Sequence, residues 1–144
     1  MTAATLIIDA SALVKLLVDE PDSAVFQALV PEGVRLQAPA HALAETGEVI
    51  SRKMRAGYVD ERQLVQIVTQ LEAELEIIPL LGLLDRAIGI ALDVGASVYD
   101  CLYVAAAQRD EAQLLTADRR LIEKLLPTGF GRLLIPFDSY NAPE

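Results

Sequence analysis

The chain has 144 residues, a length typical of one domain, and its single cysteine excludes an internal disulfide. Hydrophobic residues make up 53% and aromatic residues only 5%, which argues against a disordered chain and predicts a core of aliphatic side chains. The formal net charge of −9 argues against a general nucleic-acid coat protein, because non-specific binding to phosphates depends mostly on lysine and arginine.

The cellular compartment is predicted from the cysteine content and the N-terminus. The first residues, Met-Thr-Ala-Ala, lack the positive start and the apolar run of a secretory signal, and a lone cysteine fits a reducing compartment. No apolar stretch approaches the roughly 20 residues that are needed to cross a bilayer. We therefore expect residues 1–144 to form one cytoplasmic domain without a membrane segment.

The first half of the chain predicts two strands and four helices, because its apolar residues recur at the spacing of one or the other. We expect a strand at 5–9, helices at 10–18 and 21–30, a strand at 34–37, and helices at 40–56 and 60–75. Gly57 is placed to end the helix at 40–56, and Asp60 is placed to begin the helix at 60–75. These two helices are expected to form a hairpin.

The second half predicts three further strands and three helices. We expect a strand at 76–79, helices at 83–94 and 97–108, a strand at 113–116, a helix at 118–126 and a strand at 132–135. The helix at 97–108 is apolar nearly all round, which is typical of a helix buried within a fold. Strands that alternate with helices predict an α/β fold, here an α/β/α sandwich with a short, mostly parallel sheet and the helical hairpin.

Four short acidic motifs occur in order along the chain: Ile8-Asp9-Ala10-Ser11, Ala44-Glu45-Thr46-Gly47-Glu48, Tyr99-Asp100-Cys101-Leu102-Tyr103 and Leu115-Thr116-Ala117-Asp118. Asp9 ends the first predicted strand and Asp118 follows the fourth, and sites in parallel sheets form outside these carboxyl ends. Each motif alone is a weak signal, but the four in this order are fairly specific. They resemble the motifs of the PIN-domain nuclease family over nearly the whole chain, and in particular those of the VapC toxins of VapBC toxin–antitoxin systems.

The resemblance implies a PIN-like domain with metal-dependent ribonuclease activity on single-stranded RNA. The residues that match the acidic quartet of the family are Asp9, Glu45, Asp100 and Asp118. Ser11 and Thr116 match hydroxyl positions beside that site and are expected to support it. The implied cofactor is Mg²⁺ or Mn²⁺.

Carboxylates suit this chemistry. Mg²⁺ prefers oxygen ligands, keeps several waters and activates one of them as a nucleophile. Without a metal ion, four close carboxylates repel one another, and at least one pKa is expected to rise. A negative net charge is compatible with a nuclease of this kind, because bound cations reverse the local field that the substrate meets.

The resemblance also implies two protein partners. VapC-like proteins are blocked by a small VapB-like antitoxin, commonly through an amphipathic helix and a basic side chain that reaches the acids. The hairpin at 40–75 is the expected groove for that helix. A homodimer is the second expected assembly.

Seven of the twelve basic residues lie near the acidic motifs in sequence: Lys15, Arg52, Lys53, Arg55, Arg119, Arg120 and Lys124. We expect Lys15, Arg119 and Arg120 to contact RNA phosphates. Arg52 and its basic neighbours also fall where the C-terminus of a helix favours cations, so a purely structural role stays open for them.

Each acid has an alternative interpretation as a purely structural residue, and the chain as a whole has two alternative functions. Asp9 can simply end a strand, Asp118 can cap a helix, Asp100 can balance the positive end of its helix, and Glu45 can be solvated. One alternative is a catalytically inactive PIN-like scaffold that binds RNA or protein. Another is a phospho-acceptor receiver domain, although its usual acidic pair and late lysine are not evident.

Other polar and aromatic residues lie in or near the four motifs. Glu48 departs from the pattern of the family and either adds a carboxylate to the site or faces solvent. His41 lacks the companions of a zinc site, so we interpret it as structural, and Cys101 as a core residue. Tyr99 and Tyr103 are able to stack on a base, but packing is the favoured interpretation.

Overall fold

The computed structural model describes residues 4–136 of the chain. Within these residues the strands are β1 Thr5–Ile8, β2 Arg35–Pro39, β3 Leu75–Ile78 and β4 Gln113–Leu115. The helices are α1 Ala10–Leu17, α2 Ser23–Leu29, α3 His41–Arg55, α4 Glu61–Glu74, α5 Leu84–Val94, α6 Val98–Arg109 and α7 Arg119–Leu125. A 3₁₀ helix follows at Gly129–Leu133.

The strands form one parallel sheet in the order β3–β2–β1–β4. β1 is an inner strand, and its residues Leu6, Ile7 and Ile8 are buried, which explains its continuous apolar sequence. Ile8 pairs with Leu115 of β4, so the residues that follow these two strands leave the sheet side by side. The predicted α/β fold with a parallel sheet is confirmed.

α6 is the most deeply buried helix of the fold. It packs against β1, β2 and α5, and every residue from Cys101 to Ala107 is buried. The predicted burial of this helix is confirmed. Within residues 4–136, no single helix has both the length and the apolarity to cross a membrane. α5 and α6 meet that test only as a pair, and they are bent by 113° to each other.

α3 and α4 form the predicted hairpin, whose turn is fixed by local hydrogen bonds. Gly57 follows α3 with a φ of +84°, a conformation that glycine adopts without steric penalty. The N–H of Tyr58 donates to the carbonyl oxygen of Lys53 at 2.8 Å, as in a Schellman motif. Asp60 then caps α4 through a reciprocal pair of 2.8 Å hydrogen bonds with Gln63.

The two helices of the hairpin are splayed apart. The buried residues between them that the structure describes, Ile50, Val59 and Ile67, form a small core separate from the main one. α3 packs more extensively against α1 than against α4. An open groove therefore runs between α3 and α4.

The last predicted strand, at residues 132–135, is wrong. Residues 129–133 form a 3₁₀ helix, and Leu134 alone makes a parallel bridge, to Leu114 of β4. The cause is a tight turn after α7. A Cβ atom added at Gly131 would lie 2.9 Å from a backbone carbonyl oxygen at the end of α7, so the chain turns there instead of extending.

The second helix begins at Ser23 and not at Pro21 as predicted. The hydroxyl of Ser23 donates to the carbonyl oxygen of Val18 at 2.9 Å and accepts from the N–H of Glu20 at 2.8 Å. These bonds hold the intervening residues in a turn, which delays the start of α2.

Candidate functional site

The four acidic side chains that match the quartet line one cavity at the carboxyl edge of the sheet. Asp9 follows β1, Asp118 follows β4, Glu45 lies on α3, and Asp100 lies in the first turn of α6. The cavity has a volume of about 320 Å³, and its other lining residues are Ala10, Ser11, Glu48, Val49, Arg52 and Tyr103. The structure thus brings together the four acids singled out in the sequence.

Asp9 is the most buried of the four, with 4% of its surface exposed. Its Oδ1 accepts hydrogen bonds from the Ser11 hydroxyl at 2.6 Å and from the N–H of Ala12 at 3.0 Å, and its Oδ2 accepts one from the Thr116 hydroxyl. Burial raises the pKa of Asp9 to about 6, with a smaller contribution from the charge of Asp118, while the hydrogen bonds oppose the rise. Both hydroxyls that the sequence placed near the site therefore bind Asp9.

Asp118 caps α7 and lines the cavity at the same time. Its Oδ1 accepts from the N–H groups of Arg120 at 3.0 Å and Leu121 at 3.3 Å, while its own N–H donates to Thr116 Oγ1 at 3.0 Å. The capping alternative and a place in the site are thus compatible. Helix capping fixes one oxygen of the carboxylate and leaves the other free of these bonds.

Asp100 is held by the start of α6. Ser97 caps this helix, and its hydroxyl oxygen accepts from the N–H of Asp100 at 3.1 Å. Burial raises the pKa of Asp100, and the negative charges of Asp118 and Glu45 raise it further. Asp100 is therefore coupled electrostatically to two of the other acids, which sit on different elements.

Glu45 is held by a residue that sequence reasoning missed as part of the site. The hydroxyl of Tyr103 donates to Glu45 Oε1 at 2.6 Å. The ring of His41 lies 4.5 Å from that of Tyr103, and His41 Nε2 donates to the carbonyl oxygen of Tyr99 at 2.8 Å. The available signal was spacing, because Tyr103 lies three residues after Asp100 and so on the same face of α6.

The set of side chains fits a hard divalent cation in its chemistry. Among the described residues, neither a thiol nor an imidazole lines the cavity, and carboxylate oxygens are the ligands that Mg²⁺ prefers. As placed, no three His, Cys, Asp or Glu side chains within residues 4–136 converge at metal-binding distance. Hydroxyl donors instead hold Asp9 and Glu45 on the walls of the cavity.

The predicted RNA-binding residues occupy different surroundings. Lys15 Nζ lies 2.8 Å from a carboxylate oxygen of Asp22 and 3.6 Å from one of Glu20, so an ion pair beside α1 and α2 engages its charge. Arg119 and Arg120 are exposed directly after Asp118, at the start of α7. Their position leaves them accessible to a substrate at the cavity.

Two residues one and two turns after Glu45 also reach the cavity. Glu48 and Arg52 line it, and Glu48 is exposed to solvent. The helical spacing of Glu45, Glu48 and Arg52 predicts this shared face. Glu48, whose role the sequence left open, therefore adds a carboxylate to the rim of the site.

The opposite face of α3 lines the groove between α3 and α4, which has a volume of about 870 Å³ and is mostly apolar. Its lining residues include Leu43, Ile50, Met54, Leu64, Val68 and Leu71. None of the described residues lines both this groove and the acidic cavity. α3 is thus the wall that separates the two.

Comparison with known proteins identifies the family. The sequence model of the PIN domain matches residues 6–125, a range that includes all four acids. The chain belongs to the PIN domain family. This PIN domain is 31% identical over 122 residues to Ribonuclease VapC3 of Pyrobaculum aerophilum. The aligned region covers 83% of this chain and 93% of that protein. The resemblance recognised in the motifs is confirmed.

Solved structures show the same fold. The crystal structure of PAE2754 from Pyrobaculum aerophilum matches with a TM-score of 0.63 and 23% identity, over 84% of this PIN domain chain and 79% of that one. VapBC2 from Rickettsia felis, solved bound to a DNA fragment from its promoter, matches with a TM-score of 0.63 and 16% identity. The match covers 91% of this chain and 97% of that one. The parallel sheet and helices of this chain are therefore those of PIN domains.

Proposed function

We propose that this PIN domain is a metal-dependent endoribonuclease that hydrolyses RNA phosphodiester bonds and acts as the toxin of a type II toxin–antitoxin pair. The observation that carries the proposal is the convergence of four carboxylates, from four different elements, on one cavity at the carboxyl edge of the sheet. The relative named Ribonuclease VapC3 supports the choice of RNA as substrate.

The proposed cofactor is Mg²⁺ or Mn²⁺, held by Asp9, Glu45, Asp100 and Asp118. When bound, such an ion supplies a Lewis acid and lowers the pKa of a coordinated water. The raised pKa of Asp9 and of Asp100 supports this proposal, because a cation in the cavity would offset the burial and repulsion of these charges.

The residues of the chain itself have separate tasks in this proposal. Ser11 and Thr116 hold the Asp9 carboxylate through its two oxygens. The first turn of α7 holds one oxygen of Asp118. Arg52 on the wall of the cavity and the exposed Arg119 and Arg120 beside it are positioned to bind RNA phosphates. Lys15 would have to exchange its ion pair with Asp22 for a phosphate contact.

The test is cleavage of a panel of structured and single-stranded RNAs by the purified chain with Mg²⁺, with Mn²⁺ and with a chelator. Substituting a residue that only contacts a metal ligand lowers activity by roughly 10–100-fold. Asp100→Asn, which changes a proposed ligand itself, should lower the cleavage rate by more than that. Asp93→Asn, on an exposed position of α5, is the matched control and should cleave like the parent. RNA binding without cleavage by the parent would instead favour the inactive scaffold.

The groove between α3 and α4 is the proposed site of a VapB-like antitoxin. An apolar groove between two helices accepts the apolar face of a third helix, and a basic side chain next to that helix would reach the acids past α3. The structural similarity to VapBC2 of Rickettsia felis, whose name denotes a toxin–antitoxin pair, supports this choice of partner.

We further propose that residues 1–144 form one domain, and that the chain acts in the cytoplasm as a homodimer. The surface that supports a dimer is an apolar stripe on α5, formed by Leu84, Ile88 and Leu92, which are 42%, 43% and 82% exposed. These positions recur every four residues, so they share one face of the helix. Light scattering should give a dimer for the parent and a monomer for Leu92→Glu.

A further inference from the structure

Tyr103 lies in the main core with 2% of its surface exposed, yet its hydroxyl reaches the acidic cavity. There it donates to Glu45 Oε1 at 2.6 Å and so joins α6 to α3 across 58 residues of sequence. The other oxygen, Glu45 Oε2, has no hydrogen-bond donor within residues 4–136. One oxygen of this carboxylate is fixed and the other is available.

Residues of both α3 and α6 fix the position of the Tyr103 ring. The ring of His41, in the first turn of α3, lies 4.5 Å from the ring of Tyr103. The same imidazole donates through Nε2 to the carbonyl oxygen of Tyr99 at 2.8 Å, in the first turn of α6. A tyrosine hydroxyl ordinarily has a pKa of about 10, so the phenol keeps its proton at neutral pH and donates to the Glu45 carboxylate.

We propose that Tyr103 is a positioning residue that orients the Glu45 carboxylate for a divalent cation, an inference that rests on the proposed function. A glutamate side chain has several rotamers, and restricting them before the cation binds removes an entropic cost of binding. Two of the other acids have equivalent supports, since hydroxyls hold Asp9 and backbone N–H groups hold Asp118. For Glu45 that support is the phenol of Tyr103 on a buried helix, and His41 Nε2 lies 3.5 Å from the same oxygen, Oε1.

The test is the affinity of Tyr103→Phe for Mn²⁺ in the absence of RNA, measured from the electron paramagnetic resonance signal of free Mn²⁺. This substitution removes one oxygen atom and keeps the ring that packs against His41. We expect the affinity to fall about tenfold. Tyr99→Phe is the matched control on the same helix, and its exposed ring predicts an unchanged affinity.

A double-mutant cycle separates positioning from a general structural role. If Tyr103 acts through Glu45, then Tyr103→Phe should change Mn²⁺ affinity by less than about twofold in a Glu45→Gln background. A structural role would lower the affinity equally in both backgrounds. In cleavage assays of the parent and of Tyr103→Phe, kcat should fall while KM for RNA stays the same.

The outcomes distinguish this inference from the proposed function. Absence of Mn²⁺ binding by the parent would overturn the proposed metal centre and this inference with it. If the parent binds Mn²⁺ and Tyr103→Phe binds it equally well or more tightly, the metal centre stands and the positioning role of Tyr103 is wrong. Equal losses of Mn²⁺ affinity on Tyr103→Phe in the parent and in the Glu45→Gln background would also overturn the positioning role.

Discussion

Thr116, directly after β4, donates its hydroxyl hydrogen to Oδ2 of Asp9, directly after β1, across 107 residues of sequence. The same hydroxyl oxygen accepts from the N–H of Asp118 at 3.0 Å. One buried hydroxyl therefore connects two of the four acids, and the parallel pairing of β1 with β4 makes this contact possible.

Thr116→Val keeps the shape of the side chain and removes both of these hydrogen bonds. We expect a loss of about 1–3 kcal/mol in the free energy of unfolding at pH 8, because the buried Asp9 carboxylate and the N–H of Asp118 each lose a partner. Urea denaturation measures the loss. Thr69→Val is the control, since the hydroxyl of Thr69 bonds only within exposed α4, and equal losses for the two variants would contradict the prediction.

Metal-free stability should depend on pH through Asp9. Its pKa is raised from 3.8 to about 6, so protonated Asp9 stabilises the fold. This contribution is complete below pH 3.8 and is lost as the pH rises through about 6. The loss amounts to about 3 kcal/mol for a shift of this size. The raised pKa of Asp100 acts in the same direction.

Asp9→Asn should therefore be more stable than the parent at pH 8 without metal, and its stability should change less between pH 4 and pH 7. Saturating Mn²⁺ should reverse the order, because only the parent gains the full free energy of binding. Thermal melts across this pH range, with and without Mn²⁺, are the measurement. A parent whose metal-free stability rises with pH over this range would contradict the assignment.

Arg52 lines the acidic cavity, so Arg52→Gln should weaken RNA binding and leave chemistry intact. We expect KM for RNA to rise about tenfold with an unchanged kcat, since a bond between charged groups is lost. The slope of log affinity against log salt concentration should fall by about 0.7. Arg62→Gln, on exposed α4, is the control, and an unchanged KM for Arg52→Gln would rule out the phosphate contact.

The groove between α3 and α4 can be tested with two valines of α4. Val68 lines the groove, whereas Val65, which is 66% exposed, does not. Val68→Glu should weaken binding of a co-expressed antitoxin by about 2 kcal/mol or more, because the charge would be buried in an apolar contact. Val65→Glu should bind normally, and both variants should still cleave RNA. Equal antitoxin binding by the two variants would place the partner elsewhere.

Local sequence patterns predicted most of the fold, and the resemblance to the PIN-domain family singled out the four acids. Apolar spacing located the strands and helices, Gly57 and Asp60 marked the turn of the hairpin, and Asp9 and Asp118 were placed at the ends of the first and fourth predicted strands. These features depend on residues close together in the chain. They are therefore readable from a single sequence. That the first and fourth strands are neighbours came only from the structure.

Features that depend on distance between elements were not predictable. Helical periodicity gives the apolar face of α3 but not its separation from α4, so the open groove was expected only from the resemblance. The bond from Tyr103 to Glu45 depends on how two helices cross, and the ion pair of Lys15 with Asp22 depends on the turn before α2. The error at residues 132–135 has a local cause, because two glycines favour a turn over a strand.

The separate small core of the hairpin leaves α4 less firmly held than the acidic site beside it. Ala42 of α3 and Tyr103 belong to the main core, and Glu45 lies next to them, whereas the contact of α3 with α4 is limited to a few buried side chains. Amide protons of α4 and the C-terminal half of α3 should exchange with solvent through partial openings, well before those of β1 and α6, which require global unfolding. α4 and the C-terminal half of α3 can thus loosen while Glu45, which the bond from Tyr103 holds in the N-terminal half of α3, stays in place with the other three acids. A helix bound in the groove would slow that exchange.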